Sequence, residues 1–178
     1  RVVEISLLTP KCALVPEDFF RPEACHELLS EVFMLGVEDE VAYKAVPQYG
    51  AVLVYAAAPD CEASVDENII SDEEVPLPEM YFILRDLQKC PEYNKILCTW
   101  QQGVLYMAIA QGRTLLLANT YRAVDAVTAQ YFIHLALKSL QLNPEVSTIV
   151  WRKSIDRQLE MDLYRYFKSV DTPLSNSI

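Results

Sequence analysis

Few residues in this chain have the type and spacing to do chemistry. Cys25 and His26 stand side by side in "ACHELL", which raises the idea of a thiol nucleophile beside its base. The surrounding pattern is helical, however, and neighbours on a helix point about 100° apart, so the two side chains do not face each other. The local signatures of cysteine hydrolases are also missing. His134 sits inside the apolar run "YFIHLAL" and reads as a packed helix residue. Glu38, Asp39 and Glu40 in "VEDE" cluster their carboxylates without the alternating ligand spacing of a calcium loop, so a solvated turn is expected. Two histidines and five widely separated cysteines give a structural zinc site almost no material. No nucleophile-elbow sequence surrounds a serine. The expectation is no catalytic residue, no metal and no cofactor.

Phosphate binding fails for want of glycine. The chain has four. Gly36 is expected to cap a helix, and Gly50, Gly103 and Gly112 to sit in turns where a positive φ would strain other residues. None is left over for a phosphate cradle, and neither GxxxxGK[ST] nor GxGxxG occurs.

The elements that would position these residues are easier to read. "VVEIS" and "CALV" are strand-like, "PEDFF" a one-turn helix or tight loop, and "RPEACHELLSEVFMLG" a helix with Ala24, Leu28, Val32 and Leu35 on its inner stripe. "VAYKAV", "PQYG" and "AVLVYAAA" form two antiparallel strands and their turn. The acidic stretch at 61–75 reads as a solvated connector between a first subdomain, 1–60, and a second, 76–178. In the second, the helix "PLPEMYFILRDLQKC" precedes three strands in "ILCTWQQGVLYMAIAQGRTLLLANTY". A long helix over 121–142 follows, apolar on more than one side, as suits a helix between a sheet and something else. Asn143-Pro144 is expected to stop it. "VSTIVW" is then a strand, "SIDRQLEMDLYRYFKSV" an amphipathic helix and 171–178 a polar tail. Three strands joined by turns of about two to four residues are antiparallel neighbours, and a strand after a long helix returns parallel through a crossover.

Composition bounds the setting. The net charge of −10 is uneven, with residues 1–75 carrying −12 and residues 76–178 carrying +2. An acidic first half repels phosphate backbones, so nucleic acid is not an expected partner. No apolar run reaches the ~20 residues that cross a bilayer, and the first residues lack the pattern of a secretory leader. Scattered cysteines that behave as small hydrophobes point to the cytoplasm. Leu159, Leu163, Tyr166 and Phe167 with Arg165 mark a possible interaction face on the last helix; the alternative is that this face packs on its own sheet.

Together, "LLTPKCALVPEDFF" and "GVLYMAIAQGRTLLLANTYRAVDAVTAQYFIHLAL" followed by "LQLNP" resemble a bacterial family of unknown function with an actin-like ATPase fold, the ribonuclease H-like architecture of actin, Hsp70 and sugar kinases. That resemblance implies an α/β fold with mixed sheets, two related halves of β-β-β-α-β-α order and a first half that is incomplete. It also implies a phosphate-binding turn at Thr99, Trp100, Gln101, Gln102 and Gly103, where catalytic relatives carry an Asp. Here that turn has no carboxylate, so a vestigial site is expected, in a scaffold that binds another protein or itself. The alternatives are a nucleotide-binding or weakly ATP-hydrolysing protein whose phosphate loops lie outside this sequence, and a small-molecule sensor.

Overall fold

A computed structural model describes residues 3–70 and 76–173. The first compact unit, Arg1–Phe82, carries β1 (Val3–Leu7), β2 (Cys12–Pro16), α1 (Cys25–Ser30), β3 (Glu40–Val46), β4 (Ala51–Ala57), β5 (Ala63–Ile70) and β6 (Leu77–Pro78). The chain passes into the second unit, Ile83–Ile178, within α2 (Glu79–Lys89). It continues through β7 (Asn94–Gln101), β8 (Val104–Gln111), β9 (Thr114–Arg122), α3 (Ala126–Ser139), β10 (Thr148–Trp151), α4 (Arg157–Tyr164) and β11 (Ser169–Asp171).

The first unit holds two three-stranded sheets, ordered β5-β1-β6 and β2-β4-β3. Pro47–Tyr49 form one 3-10 turn and Gly50 takes φ +60°, which closes the β3–β4 hairpin. Val54 and Ala56 of β4 pack on Cys25 and Leu29 of α1. The inner stripe of that helix is therefore Cys25 and Leu29, one residue out of phase with the Ala24 and Leu28 read from the sequence. The helix is also shorter than expected. It ends at Ser30, and Phe33 and Leu35 reach the core from a non-helical segment while Val32 is exposed. Gly36 consequently caps no helix and lacks a positive φ; its N–H donates to Asp39 at 2.7 Å instead.

The acidic connector is corrected in part. Residues 63–70 are a strand that pairs antiparallel with β1, so they belong to the first unit's sheet. Backbone pairing at a sheet edge tolerates charged side chains, which is why acidic composition concealed it. Residues 71–75 of that stretch and 174–178 of the expected tail lie outside the described residues.

The second unit is one five-stranded mixed sheet ordered β11-β10-β7-β8-β9. β7, β8 and β9 form an antiparallel meander, β10 runs parallel to β7, and β11 runs parallel to β10. β11 is a strand beyond those read from the sequence, where Ser169 and Val170 were placed in the last helix. Alternation fixes the faces: Ile96 and Cys98 of β7 and Leu105, Met107 and Ile109 of β8 pack against Ala129, Ile133 and Leu137 of α3 and Leu159 and Leu163 of α4. Leu97, Thr99, Tyr106 and Ala108 on the other face are also buried.

α3 starts later and stops earlier than the sequence pattern suggested. Tyr121 and Arg122 still belong to β9. Asp125 is the N-cap, accepting the Thr128 N–H at 2.7 Å. At the other end Gln141 takes φ +56° and donates to the Lys138 carbonyl, while Leu142 donates to Leu137. That is a Schellman motif, and it ends the helix ahead of Asn143-Pro144.

Candidate functional site

The β7–β8 hairpin is where the sequence placed a possible phosphate turn. Gln101 pairs with Val104, so the turn is two residues, Gln102 and Gly103. Their φ values are +52° and +71°, the pair of positive angles that a type I′ hairpin turn requires. Thr99, Trp100 and Gln101 are therefore strand residues, which corrects the five-residue turn. Thr99 is fully buried and its neighbour Trp100 points to the opposite face, packing against the core under α3 and α4.

The hairpin tip is tied down by the segment that leaves β9. Trp100 Nε1 donates to the Ala123 carbonyl at 2.9 Å, and the Ala123 N–H donates to the Gly103 carbonyl at 2.8 Å. Ala123 is fully buried, and both its backbone polar groups are used by the clamp. A nucleotide with its metal ion would need a carboxylate near the turn and open backbone N–H groups. The hairpin offers an indole whose donor is spent and two glutamines. These residues do not fit that group. Among the described residues no three His, Cys, Asp or Glu side chains gather as a metal-binding cluster.

The other sequence candidates are dispersed. His26 is exposed on α1, while Cys25 is buried and its thiol is pushed up by desolvation, the opposite of an activated nucleophile. Burial likewise pushes Cys90 up to about 11. Asp39 in "VEDE" bonds Lys11 Nζ at 2.7 Å and the Gly36 N–H, and these bonds hold its carboxyl below the usual range. His134 is half-buried, its ring 4.7 Å from that of Tyr166. Among the described residues its Nε2 finds no hydrogen-bond partner, and desolvation lowers its pKa. Of the expected interaction face, Leu159, Leu163 and Phe167 are core residues, and Arg165 and Tyr166 are exposed beside them. The inward half of α4 thus packs on its own sheet.

Sequence reasoning passed over several buried polar groups. Glu79, at the first position of α2, accepts from the Ser6 hydroxyl of β1, and both are fully buried, as is Glu4 two residues away. Arg152, just past β10, donates to Asp86 at 2.6 Å with its own side chain 5% exposed. Each residue stands in an ordinary apolar pattern, so nothing local distinguishes it from a surface charge.

No helix among the described residues is long and apolar enough to cross a membrane. No curated protein matches the chain. A solved structure from Bacteroides thetaiotaomicron VPI-5482, a protein with actin-like ATPase fold and unknown function, is similar, with a TM-score of 0.72 at 13% identity. The match covers 94% of this chain and 66% of that one, so the present chain spans just under two thirds of its neighbour's length. At that identity the likeness speaks to the fold alone, and it agrees with the mixed α/β architecture described above. A family model for a protein of unknown function (DUF3822) matches residues 1–170, and the chain belongs to that family.

Proposed function

We propose that this protein is a non-catalytic scaffold of the actin-like class, working by binding another protein or a second copy of itself. We also read its two units as related halves, the first abbreviated. The observation that carries the proposal is the clamped hairpin tip, where Trp100 Nε1 donates to the Ala123 carbonyl and the Ala123 N–H donates to the Gly103 carbonyl. Its positive-φ residues are used to turn the chain, and its aromatic donor is committed to the backbone. The test is thermal unfolding with and without Mg-ATP at about 5 mM. A ligand at 100 times its Kd stabilises a protein by about 2.7 kcal/mol, a shift that is easily measured. We expect an unchanged Tm; a rise of several degrees overturns the proposal. Five free cysteines fit a reducing compartment, which we take to be the cytoplasm.

A second reading is supported by the coverage of the neighbouring structure, of which this chain spans 66%. On that reading the protein binds a nucleotide through turns that lie outside this sequence. A longer sequence of the same protein with an Asp-x-Gly hairpin would support it.

A further inference from the structure

The layer that covers the β2-β4-β3 sheet is apolar where it is anchored and acidic where it faces out. Phe20, Cys25, Leu29, Phe33 and Leu35 belong to one apolar cluster with Val54 and Ala56 of β4, so residues 17–40 are held against the sheet at five points. Between the anchors, Val32 and Met34 are 63% and 92% exposed, and Val37 is fully so. The charge around them has one sign. Residues 17–40 carry eight carboxylates against one arginine, Arg21. Glu23, Glu27 and Glu31 recur every four residues along the turn Pro22–Ala24, α1 and its C-cap, and Glu38 and Glu40 follow Val37. All five are exposed, and among the described residues none of them forms an ion pair. Like charges four apart on a helix repel, and Glu31 stands at the negative end of the α1 dipole. A row that breaks two helix rules without serving the core is what a binding surface produces.

We propose that this surface binds a basic amphipathic segment of another protein, whose apolar side chains cover Val32, Met34 and Val37 and whose lysines and arginines meet the surrounding glutamates. Charge complementarity selects that occupant. The apolar residues call for an apolar centre to the contact, and the unpaired carboxylates call for cations at its rim. Nucleic acid and the anionic face of a membrane carry the same sign as the rim and are repelled. A second copy offering the same surface would set carboxylate against carboxylate. A metal ion would leave the apolar residues bare, and among the described residues the carboxylates do not gather as a metal-binding cluster. A segment of helix with cations three and four residues apart matches the Glu23, Glu27 and Glu31 row, and its charge relieves their mutual repulsion.

The surface gives the scaffold proposed above a kind of partner and rests on that reading. The probe is a labelled peptide of about 16 leucines and lysines patterned as an amphipathic helix, titrated with the 178-residue chain and read by fluorescence anisotropy. It should bind with a Kd below about 200 µM at low salt; a weaker Kd overturns the proposal. Binding should fall at least about tenfold between about 50 and about 500 mM salt. Glu27→Lys with Glu31→Lys should weaken it at least about tenfold and Met34→Ser at least about threefold, without lowering the Tm, because all three side chains are exposed. Glu145→Lys with Glu160→Lys makes the same change of net charge in the second unit and should leave binding within about twofold. If the two double variants weaken binding equally, the peptide reads net charge alone and the proposal fails. It fails also if a peptide with serine in place of leucine binds as well. Self-association, or recruitment to phosphatidylserine vesicles, that Met34→Ser abolishes assigns the surface to a second copy or to a membrane and overturns it too. Each of these results leaves the non-catalytic reading standing, whereas a Tm raised by Mg-ATP overturns that reading whatever the peptide does.

Discussion

Replacing Trp100 with Phe tests the clamp that closes the hairpin tip. The substitution keeps an aromatic ring against the core under α3 and α4 and removes the indole N–H that donates to the Ala123 carbonyl at 2.9 Å. It also removes part of the ring volume, which matters less because Trp100 is only partly buried. Ala123 is fully buried, so water does not readily replace the lost donor. A hydrogen bond contributes about 1 kcal/mol net, and a buried acceptor left unpaired adds to the loss, so we expect about 1.5 to 2 kcal/mol. For a chain of this length each kcal/mol moves the Tm by about 2 to 4 °C, which predicts a fall of about 3 to 8 °C. Hydrogen exchange gives a local readout. The Ala123 N–H, bonded to Gly103 at 2.8 Å, should exchange faster in the variant, while amides in the first unit stay unchanged. A Trp100→Phe protein with unchanged Tm and unchanged Ala123 exchange would refute the clamp. The hairpin tip would then be free to serve a ligand.

Two further outcomes follow from burial. Leu163→Ala should cost about 2 to 5 kcal/mol in urea unfolding because the side chain is fully buried, whereas Met161→Ala on the same helix, 52% exposed, should stay within about 0.5 kcal/mol. Equal effects would mean that α4 does not pack as described. His134 has a pKa lowered by desolvation, so between the usual histidine value and its lower folded value the unfolded chain binds a proton that the folded chain does not. Stability should therefore fall as pH drops from about 7.5 to about 5.5, and His134→Phe, set beside Tyr166 and Phe167, should flatten that dependence.

The strands of the second unit were legible because the signal was local and strong. "KILC", "VLYMAIA" and "TLLLANTY" are largely apolar runs, and two positive-φ glycines, Gly103 and Gly112, sit in the turns between them. What the pattern could not show was how far each strand runs into its turn. Thr99 to Gln101 are polar or bulky enough to read as loop, yet β8 pairs with all three. Helix ends were misplaced for a related reason. Gln141 closes α3 in a left-handed conformation usually given to Gly, so a search for Gly or Pro looks past it to Asn143-Pro144. The strand in the acidic stretch was hidden because composition reports on side chains, whereas β5 is held to β1 by backbone.

The interaction face shows where a one-dimensional pattern runs out. The sequence sorts α4 into an apolar half and a polar half, and the natural inference joins the apolar half to a partner or to the protein's own sheet. The sheet takes it: Leu159, Leu163 and Phe167 are buried. α3 is apolar on more than one side, and its pattern called for a second neighbour. Among the described residues Val127, Tyr131 and Leu135 remain 76%, 59% and 45% exposed, so that second neighbour is not found there. An amphipathic helix whose apolar stripe equals its contact with the sheet carries no information about partners. A helix with more apolar surface than its own sheet covers leaves an exposed stripe, as α3 does and the inward face of α4 does not.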